Sequence, residues 1–215
     1  MSGQQVTTRP ARSWRTAAAI LAERDPVLHR LVAEVGPARV RPPAETHFGA
    51  LARAIVYQQL AGAAAAAIHR RFVALFDGDP TPARVLGLHP RTLRAAGLSG
   101  SKVASIRDLA AKVMDGTVPL QHIGRRSDEE IIDRLTVVRG IGRWTAEMFL
   151  MFQLRRLDVW PVDDYGVRQG YALAYGLRKL PTPKRLEKEG ERFRPYRTVA
   201  AWYCWRAVHE HRKRQ

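Results

Sequence analysis

Cysteine is almost absent from this chain: Cys204 is the only one among 215 residues. A disulfide within the chain is therefore impossible, and cysteine-built zinc ribbons and iron–sulfur clusters are excluded with it. Acids are scarce too, 20 Asp+Glu against 36 Lys+Arg, so any paired carboxylates stand out. No apolar run approaches the roughly 20 residues that span a bilayer. The basic start of the chain meets charges too soon to read as a signal peptide. Alternating strand patterns are missing as well. Together these absences fit a chain kept in a reducing cytoplasm.

What is present is positive charge and helical periodicity. A net charge of +16 and a pI near 11.0 favour polyanions: DNA, RNA or an anionic membrane. The charge is spread along the chain, which suits a basic face on a folded body. Helix starts are readable from their caps: Ser13 before "WRTAAAILAER", Asp25-Pro26 before "VLHRL", and Ser127 with Glu130 in capping-box spacing. One apolar stretch runs on from His47 through Ala63–Ala67, small residues suited to a close helix–helix seam. About ten helices and little or no sheet are expected, hence an all-α fold. Residues 1–12 read as a flexible basic N-terminus and "HRKRQ" (211–215) as a basic tail.

Two motifs carry chemistry. In "LTVVRGIGRWTAEMF" two apolar helices meet at Arg139-Gly140-Ile141-Gly142-Arg143. Glycines two apart permit positive φ and close approach to a ligand, and Ile141 anchors the turn. The loop feeds a helix N-terminus, where open N–H groups favour an anion, with Arg143 as an added cation. On so basic a chain the natural anion is a DNA phosphate. The second motif, "DVWPVDDYGVRQGYAL", opens a helix with Asp163 and Asp164. Successive helical side chains diverge by about 100°, so the two cannot work as partners on one face. One reads as a helix N-cap and the other is available for chemistry.

"VVRGIGRWTAEMF" followed by "DVWPVDDYGVRQG" resembles the helix–hairpin–helix DNA glycosylase superfamily, and within it the alkylation-repair branch, DNA-3-methyladenine glycosylase II. That branch has a PGIGRWTA hairpin and a catalytic aspartate roughly 20 residues beyond; here Trp144 and Asp164 are 20 positions apart. "ARAIVYQQLAGAAAAAIHRRF", "GLSGSKVASIRDLA" and "RPYRTVAAWYCWRA" extend the resemblance over roughly residues 25 to 210. Arg139 departs from the pattern, standing where proline usually precedes the first glycine. The chain is also too short to carry the extra N-terminal β-domain of some members. The resemblance implies one glycosylase domain over 13–210, built as two helical lobes with the active-site cleft between them.

It further implies a monofunctional enzyme that removes alkylated purines from double-stranded DNA during base excision repair and leaves an abasic site. Asp164 takes the catalytic position and Asp163 the helix cap. Bifunctional relatives have a nucleophilic lysine where this chain has Trp144, so no lyase activity is implied. Trp144, Tyr165, Trp205 and Met148 are the pocket candidates; Trp202 and Tyr203 read as rim or core. Gly140, Ile141, Gly142 and Arg143 contact DNA, joined by Lys102 and by Gln58 and Gln59 of the "QQL" loop. Gln59 is the residue that fills the gap left by the flipped base, with Leu60 in the core. No resident cofactor is implied, although the hairpin carbonyls could take a monovalent cation. The acting form is a monomer, cytoplasmic and nucleoid-associated in a bacterium. A non-catalytic structure-specific DNA-binding module, or a glycosylase for deaminated or mismatched bases, is the alternative.

Overall fold

A computed structural model describes residues 13–215; the N-terminal stretch 1–12 lies outside the described residues. The described residues form twelve α-helices and no strand, an all-α fold. The chain divides into two compact units, one combining the residues up to 41 with 156–215, the other spanning 42–155.

The first unit begins with α1 (Trp14–Arg24) and α2 (Pro26–Val35). Ser13 Oγ accepts from Thr16 N at 3.1 Å, and Asp25 Oδ1 accepts from Val27 N and Leu28 N at 2.9 and 3.0 Å. Such caps satisfy amides that no helical carbonyl can reach, each worth about 1 kcal/mol. Asp25 is buried, and its second oxygen accepts the Tyr175 hydroxyl at 3.0 Å.

The second unit runs through α3 (His47–Tyr57), α4 (Gly62–Ala74), α5 (Pro82–Gly87), α6 (Pro90–Ala95), α7 (Gly100–Met114), α8 (Asp128–Thr136) and α9 (Arg143–Met148). Leu51, Ile55, Phe72, Ile106, Leu109, Leu135 and Leu150 form its apolar centre. The capping box at Ser127 and Glu130 is present in both directions. The single stretch suggested by the sequence is broken at Gln58–Ala61, where Gln59 turns the backbone with φ +56°. The alanine run is a seam only at Ala65; Ala63 and Ala64 face solvent. After Met148 the helix widens into a π-helical turn, Phe149–Gln153, which buries Phe149, Leu150 and Met151 consecutively.

The chain returns to the first unit for α10 (Tyr165–Ala174), α11 (Pro183–Gly190) and α12 (Arg197–Lys213). The sequence "HRKRQ" is not a separate tail, because α12 continues through it as far as Lys213. Helices α10 and α12 cross in unusually close contact. A Cβ on Gly170 would lie 1.8 Å from the Cys204 carbonyl oxygen. Asp158 ties the start of α12 to the segment before α10, its carboxylate pairing with Arg197 Nε and Arg194 Nη1, each at 2.8 Å. Trp160 is buried and donates to the Leu186 carbonyl at 2.8 Å.

Candidate functional site

The hairpin between α8 and α9 is held by its own backbone and by α7. Ile141 N donates to the Val138 carbonyl at 3.0 Å, and the Ile141 side chain is buried as expected. Gly140 has φ +77°, and a Cβ there would meet Ser105 Oγ at 2.7 Å. That position needs glycine for both conformation and space. Gly142 has φ −95° and open surroundings, so its lack of a side chain serves approach from outside. As the N-cap of α9 it supplies no capping side chain, leaving the first-turn amides to other acceptors.

Asp108 of α7 anchors the hairpin entrance, accepting from Arg139 N at 2.8 Å and from Lys112 Nζ at 2.6 Å. Burial pushes its carboxyl up, but these two donors outweigh burial and hold it below the ordinary range. Neither Asp108 nor Ser105 was singled out from the sequence. Asp108–Lys112 reads there only as an i, i+4 surface pair.

Arg143 departs from its expected role as an open cation. Its guanidinium binds Glu129 through two hydrogen bonds of 2.8 and 3.1 Å, and its Nε reaches buried Glu147 at 3.2 Å. The pairing also explains how a cation is tolerated at a helix N-terminus. Lys102 departs in the same way. Its Nζ donates to the carbonyls of Val56 at 2.7 Å and Gln58 at 2.9 Å, closing the C-terminal end of α3. Burial lowers the Lys102 pKa.

The "QQL" loop is attached to the hairpin inside this unit. Gln58 Nε2 donates to the Gly140 carbonyl at 2.8 Å, so Gln58 satisfies backbone. Gln59 occupies the left-handed region and is exposed. Leu60 is not core; it is 39% exposed at the same loop tip. Trp144, on the first turn of α9, is 47% exposed, and Met148 is half-buried one turn later.

The first unit brings Asp164, Tyr165 and Trp205 together. Here the assignment of the helix cap to Asp163 is overturned. Asp164, not Asp163, is the N-cap of α10, its Oδ1 accepting from Val167 N at 2.7 Å. The turn that precedes it closes through Asp164 N and the Pro161 carbonyl at 3.1 Å, which leaves Asp163 exposed at the bend. The same Asp164 Oδ1 accepts from Trp205 Nε1 at 2.8 Å. Tyr165 is 63% exposed beside it, and Trp205 is half-buried. Trp202 carries Arg206 over its ring at 5.8 Å, while Tyr203 is buried with its hydroxyl on the Gly36 carbonyl, in line with rim and core roles. Cys204 is buried and its thiol pKa is pushed up by burial, so it is no nucleophile. Among the described residues no group of three or more His, Cys, Asp or Glu could hold a metal ion, and no helix is long and apolar enough to cross a membrane.

Residues 52–195 match the family model described as HhH-GPD superfamily base excision DNA repair protein, a span that holds both the hairpin and Asp164. The chain is 42% identical over 159 residues to DNA-3-methyladenine glycosylase 1 of Schizosaccharomyces pombe, covering 73% of this chain and 70% of that protein. It is 35% identical over 190 residues to the alkylbase DNA glycosidase-like protein mag2 of the same yeast, covering 86% and 89%. The solved structure of the yeast 3-methyladenine DNA glycosylase Mag1 in complex with abasic DNA superposes with a TM-score of 0.79 at 39% identity, over 88% of this chain and 95% of that one.

Proposed function

This chain belongs to the HhH-GPD superfamily of base excision DNA repair proteins, and we propose that it is a monofunctional DNA glycosylase for alkylated purines such as 3-methyladenine. It hydrolyses the N-glycosidic bond in double-stranded DNA and leaves an abasic site. The observation that carries this reading is a carboxylate, Asp164, fixed at the start of α10 within the matched span.

The chemistry needs little more than that carboxylate. The target base is buried in the duplex, so the nucleotide is flipped out before reaction. An N3- or N7-alkylated purine already carries positive charge. When its bond to C1′ breaks, the bond's electron pair leaves with the base, which departs neutral and needs no acid. The sugar is left as an oxocarbenium-like cation, which the Asp164 carboxylate stabilises electrostatically. Water adds its oxygen to C1′, and its proton passes to the carboxylate or to solvent. No cofactor enters the balance.

Trp144, Tyr165, Trp205 and Met148 contribute pocket surface, on which an electron-deficient base stacks as cations do. Partial exposure of Trp144 and Tyr165 suits that use. Phosphate is gripped by the uncapped amides at Gly142 and the start of α9, since Ile141 N is spent on the Val138 carbonyl and Arg143 is already paired. Gln59 is the loop residue assigned to the gap in the duplex, and a monomer suffices.

The test is release of methylated bases from alkylated DNA. Asp164→Asn should nearly abolish release while sparing DNA binding; loss with Asp163→Asn instead would overturn the assignment. Trp144 has no amine, so borohydride should trap no covalent enzyme–DNA adduct, and a strong adduct would exclude the monofunctional reading.

A further inference from the structure

An N-cap aspartate accepts from amides of its own helix, as Asp25 does from Val27 N and Leu28 N. Asp164 is held differently. Two donors from separate helices converge on one carboxylate oxygen: Val167 N of α10 at 2.7 Å and Trp205 Nε1 of α12 at 2.8 Å. One helix alone cannot supply that pair, so the register of α12 against α10 decides whether the second bond forms.

That register is set by two glycines. Gly166 and Gly170 lie one turn apart on the same face of α10. Gly170 lets the Cys204 carbonyl approach so closely that a Cβ would overlap it. Gly166 sits beneath the next residue: its Cβ would be 2.8 Å from Trp205 Cδ1 and 3.0 Å from Nε1. The N–H edge of the indole is thereby seated over the first turn of α10 and aimed at the carboxylate.

We infer that Trp205 is a positioning residue whose indole N–H orients the Asp164 carboxylate toward the sugar cation it stabilises. The inference rests on the proposal that Asp164 is the catalytic carboxylate. It assigns to the N–H a contribution separate from anything the ring face gives to a bound base. Without that donor the carboxylate keeps its helix cap but loses the bond from α12 that helps set its direction, and small misplacements of a reacting group cost rate far more than affinity.

Site-specific replacement of Trp205 by 3-benzothienylalanine tests this, because sulfur replaces the N–H while the bicyclic ring remains. Single-turnover release of methylated base should fall ~10- to 100-fold, with affinity for abasic-site DNA kept within about twofold. An unchanged rate overturns the inference. So does an equal loss of affinity, which would place the contribution in the ring face. Gly166→Ala crowds the indole edge and, at 3.1 Å, Asp164 Oδ1 as well, so it disturbs the N–H···carboxylate pair from both sides; it should show the same loss of rate with retained affinity. Asp164→Asn is measured alongside. If that variant keeps full activity, the catalytic assignment itself falls. If it is inactive while the benzothienyl protein is as fast as wild type, only the role of Trp205 falls.

Discussion

Gly170→Ala puts the tightest glycine contact among the described residues to a direct test. The added Cβ would stand 1.8 Å from the Cys204 carbonyl oxygen, 2.3 Å from its carbonyl carbon and 2.8 Å from its Cα. These are backbone atoms, so no side-chain rotation relieves the overlap. To regain ordinary contact α12 must retreat by about 1.5 Å at this point, in an interior packed as densely as a crystal. Overpacking of this kind costs ~1–3 kcal/mol and more where backbone must move. The higher helix propensity of alanine returns at most ~1 kcal/mol. A net loss of about 2 kcal/mol is expected, which shifts a urea midpoint down by about 1 M for an m-value near 2 kcal/mol/M. Circular dichroism in urea measures it, with Gly62→Ala as the reference. Gly62 begins α4 with nothing within 4 Å of a built Cβ, so that change should stay within about 0.5 kcal/mol of wild type. Because Trp205 follows Cys204, retreat of α12 also draws the indole from Asp164, and base release should fall further than the unfolded fraction explains. A Gly170→Ala protein as stable as wild type would refute the close crossing.

Three other perturbations probe the hairpin unit. Gly140→Ala forces a side chain into φ +77° against Ser105. It should cost about 1–2 kcal/mol and weaken binding to damaged and undamaged duplexes alike in fluorescence anisotropy; loss confined to one damaged base would contradict the phosphate role. Asp108 has a depressed carboxyl pKa, so its contribution is present above the ordinary carboxylate range and lost as pH falls through the depressed value. Urea midpoints taken from pH 6 down should therefore fall more steeply for wild type than for Asp108→Asn, and parallel curves would remove Asp108 as an anchor. Lys102→Met leaves two carbonyls of the α3 end without their donor and should cost about 1–2 kcal/mol. The salt slope of DNA binding should not change, whereas a slope reduced by about one phosphate would restore a DNA contact.

The local features of this fold are legible in sequence. Ser13, Asp25 and Ser127 announce helix starts because a cap and its amide lie within three residues of each other. Gly140 and Ile141 follow for the same reason: the constraint on the turn is contained in the turn. What escaped is set by partners far along the chain. Arg143 looks like an open cation until Glu129 folds back onto it, and Lys102 looks solvated until the end of α3 arrives beneath its ammonium group. Leu60 reads as core by composition, but the break at Gln59 turns it outward. The shift of the helix cap from Asp163 to Asp164 has the same origin. Capping and a second hydrogen bond fall on one carboxylate because Trp205, 41 residues away, comes to lie beside the start of α10.

The paired guanidinium of Arg143 also bears on how the protein responds to ionic strength. Affinity for DNA falls with salt according to the number of condensed counterions that protein cations displace from phosphates. A guanidinium already neutralised by Glu129 and Glu147 displaces none. On the phosphate reading proposed above, the hairpin would hold phosphate through uncharged amides, whose grip persists as the salt-sensitive part of binding is screened away. On the same reading, encounter falls to the other lysines and arginines of a chain with net charge +16, and registration on the strand to amide donors that carry no net charge.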